Sequence, residues 1–132
     1  ARAAAAWVAR DLSFARERAL ATGTTTWVVF SVATNSYSVL AEDAAATGRA
    51  GALSITDPAT GQAFVSRLSD PAFAGVSLSA VSISGGGNDL GFDWMGRPIN
   101  AAGTRVTTNA TITLSPAQTV TVTAGAGVVG VP

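Results

Sequence analysis

The sequence predicts an α+β fold: one long N-terminal amphipathic helix packed on antiparallel β-sheet. Residues 1–22 are rich in Ala, Arg, Leu and Glu and contain neither Gly nor Pro, a helical composition. Beyond Gly23 the pattern changes to β-branched and aromatic runs with period-two alternation, broken by Gly, Pro and Asn turn signals. The chain has 132 residues, enough for one core and too few for two ordinary ones. Residues 1–132 are therefore read as a single domain, with a helix over 1–22 and a β-domain over 23–132.

Within the helix, Val8, Leu12, Ala15 and Ala19 follow at steps of four, three and four, which puts them on one face. Arg10, Asp11, Glu17 and Arg18 fall mostly off that stripe. Gly23 is placed to let the chain leave the helix through a left-handed conformation. The start carries no matching signal, because residues 1–6 (ARAAAA) offer no side-chain acceptor for the first amide groups. The helix is expected to continue upstream of Ala1. Trp7 lies off the stripe near that start, where a large apolar side chain can meet a neighbouring subunit or lipid headgroups, with simple packing within the domain as the alternative.

The β-region reads as a series of hairpins. Thr24 to Val32 (TTTWVVFSV) and Ser36 to Leu40 flank a polar turn at Thr34-Asn35, and a small-residue connection from Glu42 to Gly51 follows. Leu53 to Thr56 and Gln62 to Leu68 flank the Asp57–Gly61 turn as a second hairpin. Val76 to Ile83 alternates apolar residues with serine and ends at Gly85-Gly86-Gly87-Asn88, after which Leu90 and Phe92 form a short strand. Trp94 to Pro98 is a turn, Arg105 to Leu114 and Thr119 to Ala124 pair across Ser115-Pro116-Ala117, and Gly125 and Gly127 flank a last turn before Val128-Val129.

Composition removes most enzyme designs. Cys and His are both absent, so there is no thiolate, no disulfide, no imidazole base and no transition-metal ligand of the commonest kinds. Serine and threonine are plentiful, but nothing stands beside them to activate a hydroxyl. The sequence therefore predicts no catalysis, no cofactor and no metal centre. A phosphate cradle at Gly85-Gly86-Gly87 would need a helix after it, and a strand follows instead. Glu42, Asp43, Asp89 and Asp93 do not match a calcium-loop spacing and read as solvated loop acids, with a loop-bound ion left open. Trp27, in an apolar strand, reads as core. Arg97 and Arg105 flank one loop and read as solvated, with contact to a phosphate backbone as the alternative. Eight arginines balance eight acids, so no overall field attracts nucleic acid or anionic membrane. No stretch approaches the roughly 18 consecutive apolar residues of a membrane-spanning helix.

The segment from Ala9 to Phe30 (ARDLSFARERALATGTTTWVVF) resembles the start of the soluble region in minor pseudopilins and minor pilins of the GspH and FimT type. The matching elements are Leu12, Ala15-Arg16, Ala19, Gly23 and the apolar run Val28 to Phe30; Phe92-Asp93-Trp94-Met95-Gly96 resembles the family's Phe-x-x-x-Gly turn, and Thr119 to Val129 its final apolar hairpin with glycine. The family's leader and hydrophobic N-terminal segment are not in this sequence. The resemblance implies that residues 1–22 are the C-terminal half of a pilin helix whose upstream part is processed, N-methylated and seated in the inner membrane. It implies a periplasmic domain, or a place in an extracellular pilus, with other major and minor pilins or pseudopilins as partners. Assembly into the tip or shaft of a type II secretion pseudopilus or type IV pilus would then proceed through helix packing, with Trp7, Val8, Leu12, Ala15 and Ala19 as the packing residues. The alternatives are a FimT-like minor pilin that takes up DNA through Arg97 and Arg105, against which the neutral charge counts, and a secreted β-domain acting as a binding module.

Overall fold

Helix α1 runs from Arg2 to Thr22 and buries Ala4, Ala5, Val8, Leu12, Ala15 and Ala19. Four of these six are alanines, short enough for the backbone to approach a sheet closely while the larger side chains of the strands fill the intervening space. The helix ends where Gly23 adopts φ 70° and its N–H donates to the Ala19 carbonyl at 2.9 Å. Ala3, Ala6, Trp7, Arg10, Ser13, Glu17 and Leu20 form the exposed face. The stripe is as the spacing predicts, with one correction: Asp11 points inward and is only 2% exposed.

The structure, a computed structural model, describes residues 2–42, 48–58, 60–68, 75–115 and 118–131. Ala1, Asp43, Ala59, Pro116, Ala117 and Pro132, which entered the sequence reading, lie outside them. After the helix come β1 (Thr26–Ser31), β2 (Ser36–Ala41), a 3-10 turn (Arg49–Gly51), β3 (Leu53–Ser54), β4 (Val65–Arg67), β5 (Ser77–Ser82), β6 (Asp89–Phe92), β7 (Pro98–Ile99), β8 (Ala110–Ser115), β9 (Gln118–Val122) and β10 (Val129–Gly130). They form two antiparallel sheets. The first has the order β3-β2-β1-β6-β7, with β4 also paired to β2; the second has the order β10-β9-β8-β5. The helix packs on β1 and β6 of the first and on β9 and β10 of the second, so one core is shared by all three layers.

Alternation along β1 sends Val28 and Phe30 into that core and Trp27 to the far face of the first sheet, where it packs with Ala52 and Ile99. Trp27 is core, as its apolar context predicts. The β1–β2 hairpin also forms as expected. The second hairpin forms only near its turn, where Thr56 and Ala63 make an antiparallel bridge and the Phe64 N–H donates to the Ile55 carbonyl at 2.9 Å; its outer arms pair with β2 instead, β3 with Leu40 and Ala41 and β4 with Ser36 to Ser38. The two outer arms lie in line along the edge of β2, whose unpaired backbone groups satisfy both segments beyond the hairpin tip. The strand expected from Arg105 begins only at Ala110. Arg105 instead bridges Ile99 at the edge of the first sheet, and the intervening residues carry the chain across to the second.

The turn residue Asn35 joins the sheets. It sits at φ 53°, its side-chain Nδ2 donates to the Val76 carbonyl at 3.2 Å, and its Oδ1 accepts the Leu78 N–H at 2.6 Å. Its own carbonyl accepts the Leu68 N–H at 2.9 Å. The amide thus stands in for a neighbouring strand at the start of β5. Asn35→Gly keeps the backbone freedom and removes the two side-chain bonds, and is expected to lower unfolding free energy by about 1–3 kcal/mol. Asn35→Ala, which adds left-handed strain, should cost more. Urea titration measures both, and an unchanged Asn35→Gly would mean that the side chain does not tie the sheets.

Candidate functional site

The residues named for subunit packing separate into two groups. Val8, Leu12, Ala15 and Ala19 are 0% exposed against the chain's own strands, so they present no surface to a neighbour. That is a correction: the apolar stripe closes this domain, because two sheets need one helix to cover their inner faces. Trp7 is 38% exposed on the opposite face, with the Arg10 guanidinium 3.6 Å from its ring centroid. This cation–π contact steadies the ring on the surface. The outward face available to a partner is therefore Ala3, Ala6, Trp7, Arg10, Ser13, Glu17 and Leu20.

Three elements far apart in sequence meet at Arg16. Its Nε donates to the Ala126 carbonyl at 3.3 Å, and its side chain passes beside Gly96 and Gly127. A Cβ on Gly96 would lie 3.1 Å from the Arg16 Nε, and one on Gly127 would collide with the Gly96 carbonyl oxygen. Arg16 of the helix, Gly96 of the Phe92–Gly96 turn and Gly127 of the last turn thus form one joint. Gly125→Ala adds only left-handed strain, about 1–2 kcal/mol, since nothing lies within 4 Å of its Cβ position. Gly127→Ala adds the collision as well and should lower the melting temperature clearly more. Equal melting temperatures for the two variants would disprove the joint.

Asp11 anchors the helix to the first sheet. Its Oδ2 accepts the Tyr37 hydroxyl at 2.5 Å and the Ser66 hydroxyl at 3.4 Å, and its Oδ1 accepts Arg10 Nη2 at 3.0 Å and Nε at 3.2 Å. Burial pushes the carboxyl above its ordinary value of 3.8, outweighing the hydrogen bonds from Tyr37 and Arg10 that favour the charged form. Burial, followed by the Asp11 charge, also pushes the Tyr37 hydroxyl up. The native state therefore holds the Asp11 proton at pH values where the unfolded chain has lost it. Between 3.8 and the raised value, the stability from this group falls as pH rises. Asp11→Asn removes that slope: relative to the unaltered protein, its melting temperature should gain as pH is raised from 3.8. A constant difference across the range would contradict the assignment.

On the far face of the first sheet a cleft of about 380 Å³ is lined by Trp27, Glu42, Arg49, Trp94, Arg97 and Arg105, among others. Arg97 and Arg105 do meet here, and Arg49, which no spacing along the chain singles out, joins them from the 3-10 turn. Neither Asp89 nor Asp93 is a free loop acid. Asp93 Oδ2 accepts Arg97 Nε at 2.8 Å and its Oδ1 accepts the Met95 and Arg97 N–H groups, while Asp89 accepts Arg49 Nε at 2.9 Å. Arg97 and Arg49 are accordingly ion-paired rather than solvated. Glu42 is also engaged on both oxygens, by the Trp27 indole N–H at 2.7 Å and the Gly48 N–H at 2.8 Å. Arg105 makes no side-chain hydrogen bond or ion pair among the described residues. Within the same residues no acids gather as a metal site, and no helix is long and apolar enough to cross a membrane. The Gly85 turn packs against Asn100, whose Nδ2 donates to the Ser84 carbonyl at 3.1 Å, which agrees with a structural turn.

No protein-family profile matches the chain, and no curated protein matches it in sequence. Solved structures do match. A structure of the minor pseudopilin EpsH from the type 2 secretion system of Vibrio cholerae superposes with a TM-score of 0.70 at 16% identity, covering 100% of this chain and 95% of that one. A second, of the same protein, gives 0.68 at 15% identity and covers 97% and 89%. The chain therefore has the pilin-like α+β fold of a minor pseudopilin, as the ordered motifs implied.

Proposed function

We propose that this chain is the globular part of a minor pseudopilin of a type II secretion system, a structural subunit rather than an enzyme. The observation that carries the reading is the match to EpsH over nearly the whole of both chains. In this proposal the helix extends upstream into the inner membrane, the β-domain lies in the periplasm, and the subunit joins other pseudopilins through its helix. The exposed face around Trp7, Arg10, Ser13 and Leu20 makes the contact, since the apolar stripe is already buried. A type IV pilus would use the same face. Uptake of DNA through Arg97 and Arg105 is the weaker reading, because Glu42 and Asp93 line the same cleft and would repel a continuous polyanion.

Cross-linking tests the assembly reading. In the full-length protein in its native membrane, Ser13→Cys on the exposed helix face should form disulfides with cysteines placed on the helices of the other pseudopilins. Val32→Cys, equally exposed but on the β1–β2 turn, should not. Cross-links from Val32 and none from Ser13 would overturn helix-mediated assembly.

A further inference from the structure

We infer that the arginine-lined cleft is a docking site for an acidic side chain, flanked by an apolar one, on an extended segment of a partner subunit. The inference rests on the assembly reading for the partner's identity, but its chemistry comes from the cleft. Three guanidinium groups converge there, from Arg49, Arg97 and Arg105. Among the described residues, the acids beside these arginines already accept hydrogen bonds. Asp89 and Asp93 each hold one arginine, and both Glu42 oxygens accept N–H groups. Arg105 is the one of the three whose guanidinium no described side chain engages, and a guanidinium with its donors free can take one carboxylate. Glu42 and Asp93 argue against a longer polyanion, which would have to pass them.

The second half of the recognition is Trp94. It lines the cleft and is 61% exposed, the next residue Met95 is 47% exposed, and both sit on a turn fixed by Asp93 and braced by Gly96 against Arg16. A large aromatic carried at the rim on a backbone tied by hydrogen bonds has few side-chain torsions to lose on binding, and such residues contribute most at interfaces. On the other side Asn100 shapes the loop, accepting the Ala102 and Thr104 N–H groups on Oδ1 at 3.0 and 3.1 Å. The cleft is thus a charged point beside an apolar ledge, built on short, internally bonded turns.

The test is an NMR titration of the isotope-labelled domain with a capped pentapeptide, Gly-Gly-Phe-Glu-Gly, and with its Gln counterpart. The Glu peptide should shift the Trp94 indole and Arg105 side-chain signals, the Gln peptide should bind about tenfold more weakly, and Arg105→Gln should abolish the difference while melting as the unaltered domain does. Equal binding of the two peptides would overturn the inference, as would an unchanged response in Arg105→Gln. A single-stranded oligothymidylate that moves the same signals and displaces the peptide would overturn it in favour of nucleic acid. The cross-linking result separates this from the assembly reading: helix cross-links without peptide binding would remove the cleft alone, and peptide binding without helix cross-links would remove the assembly reading alone.

Discussion

Two antiparallel sheets in this protein turn apolar faces toward helix α1, the element that covers both. The six inward residues Ala4, Ala5, Val8, Leu12, Ala15 and Ala19 contact a shared core that includes Val28, Leu90, Phe92, Val120 and Val122. Burying an aliphatic side chain such as Leu12 contributes about 1.5–3 kcal/mol, against about 1 kcal/mol net for a single hydrogen bond. The stripe therefore holds the helix in place. Polar contacts at Asp11 and Arg16 then decide how far along the sheets it sits.

The contact at Arg16 gives three separated short motifs of this chain one place in the fold. An Ala-Arg pair on the helix, a glycine closing the turn after Phe92 and a glycine in the last hairpin have no connection along the chain. In space they are one joint, with the Arg16 side chain lying beside Gly96, where a Cβ would be tight, and Gly127, where it would strike the Gly96 carbonyl oxygen. The joint also braces the turn that carries Trp94 and Met95, so it links the interior of the domain to its exposed surface. Packing, turn geometry and candidate recognition surface are parts of one arrangement.

Because the stripe is used inside the domain, the proposed contact with a neighbour falls to the opposite side of the helix, where Trp7 and Leu20 interrupt an otherwise small and polar surface. The proposed assembly thus has the helix serving two partners at once, its own sheets on one side and a neighbour on the other. The cleft lies on a different surface, the far face of the first sheet around Trp27. A subunit with two separate contact surfaces can join a neighbour through each.

Local physics was legible in the sequence: the helix and its end at Gly23, the β1–β2 and β8–β9 hairpins, the turn at Gly85, and Trp27 as core. Each depends on spacing or backbone preference over a few residues. Asp11 was misread because helical spacing places it only at the edge of the stripe, and its partners Tyr37 and Ser66 come from other elements. The in-line arrangement of β3 and β4 depends on which edge of β2 was vacant, and the pairing of Arg49 with Asp89 on a separation of 40 residues. Propensity and periodicity act along the chain, so the helix, its buried stripe and most strands follow from residue spacing alone. Burial of Asp11, the bonds by which Asn35 joins the sheets and the pairing of Arg49 and Arg97 but not Arg105 depend on neighbours that folding supplies.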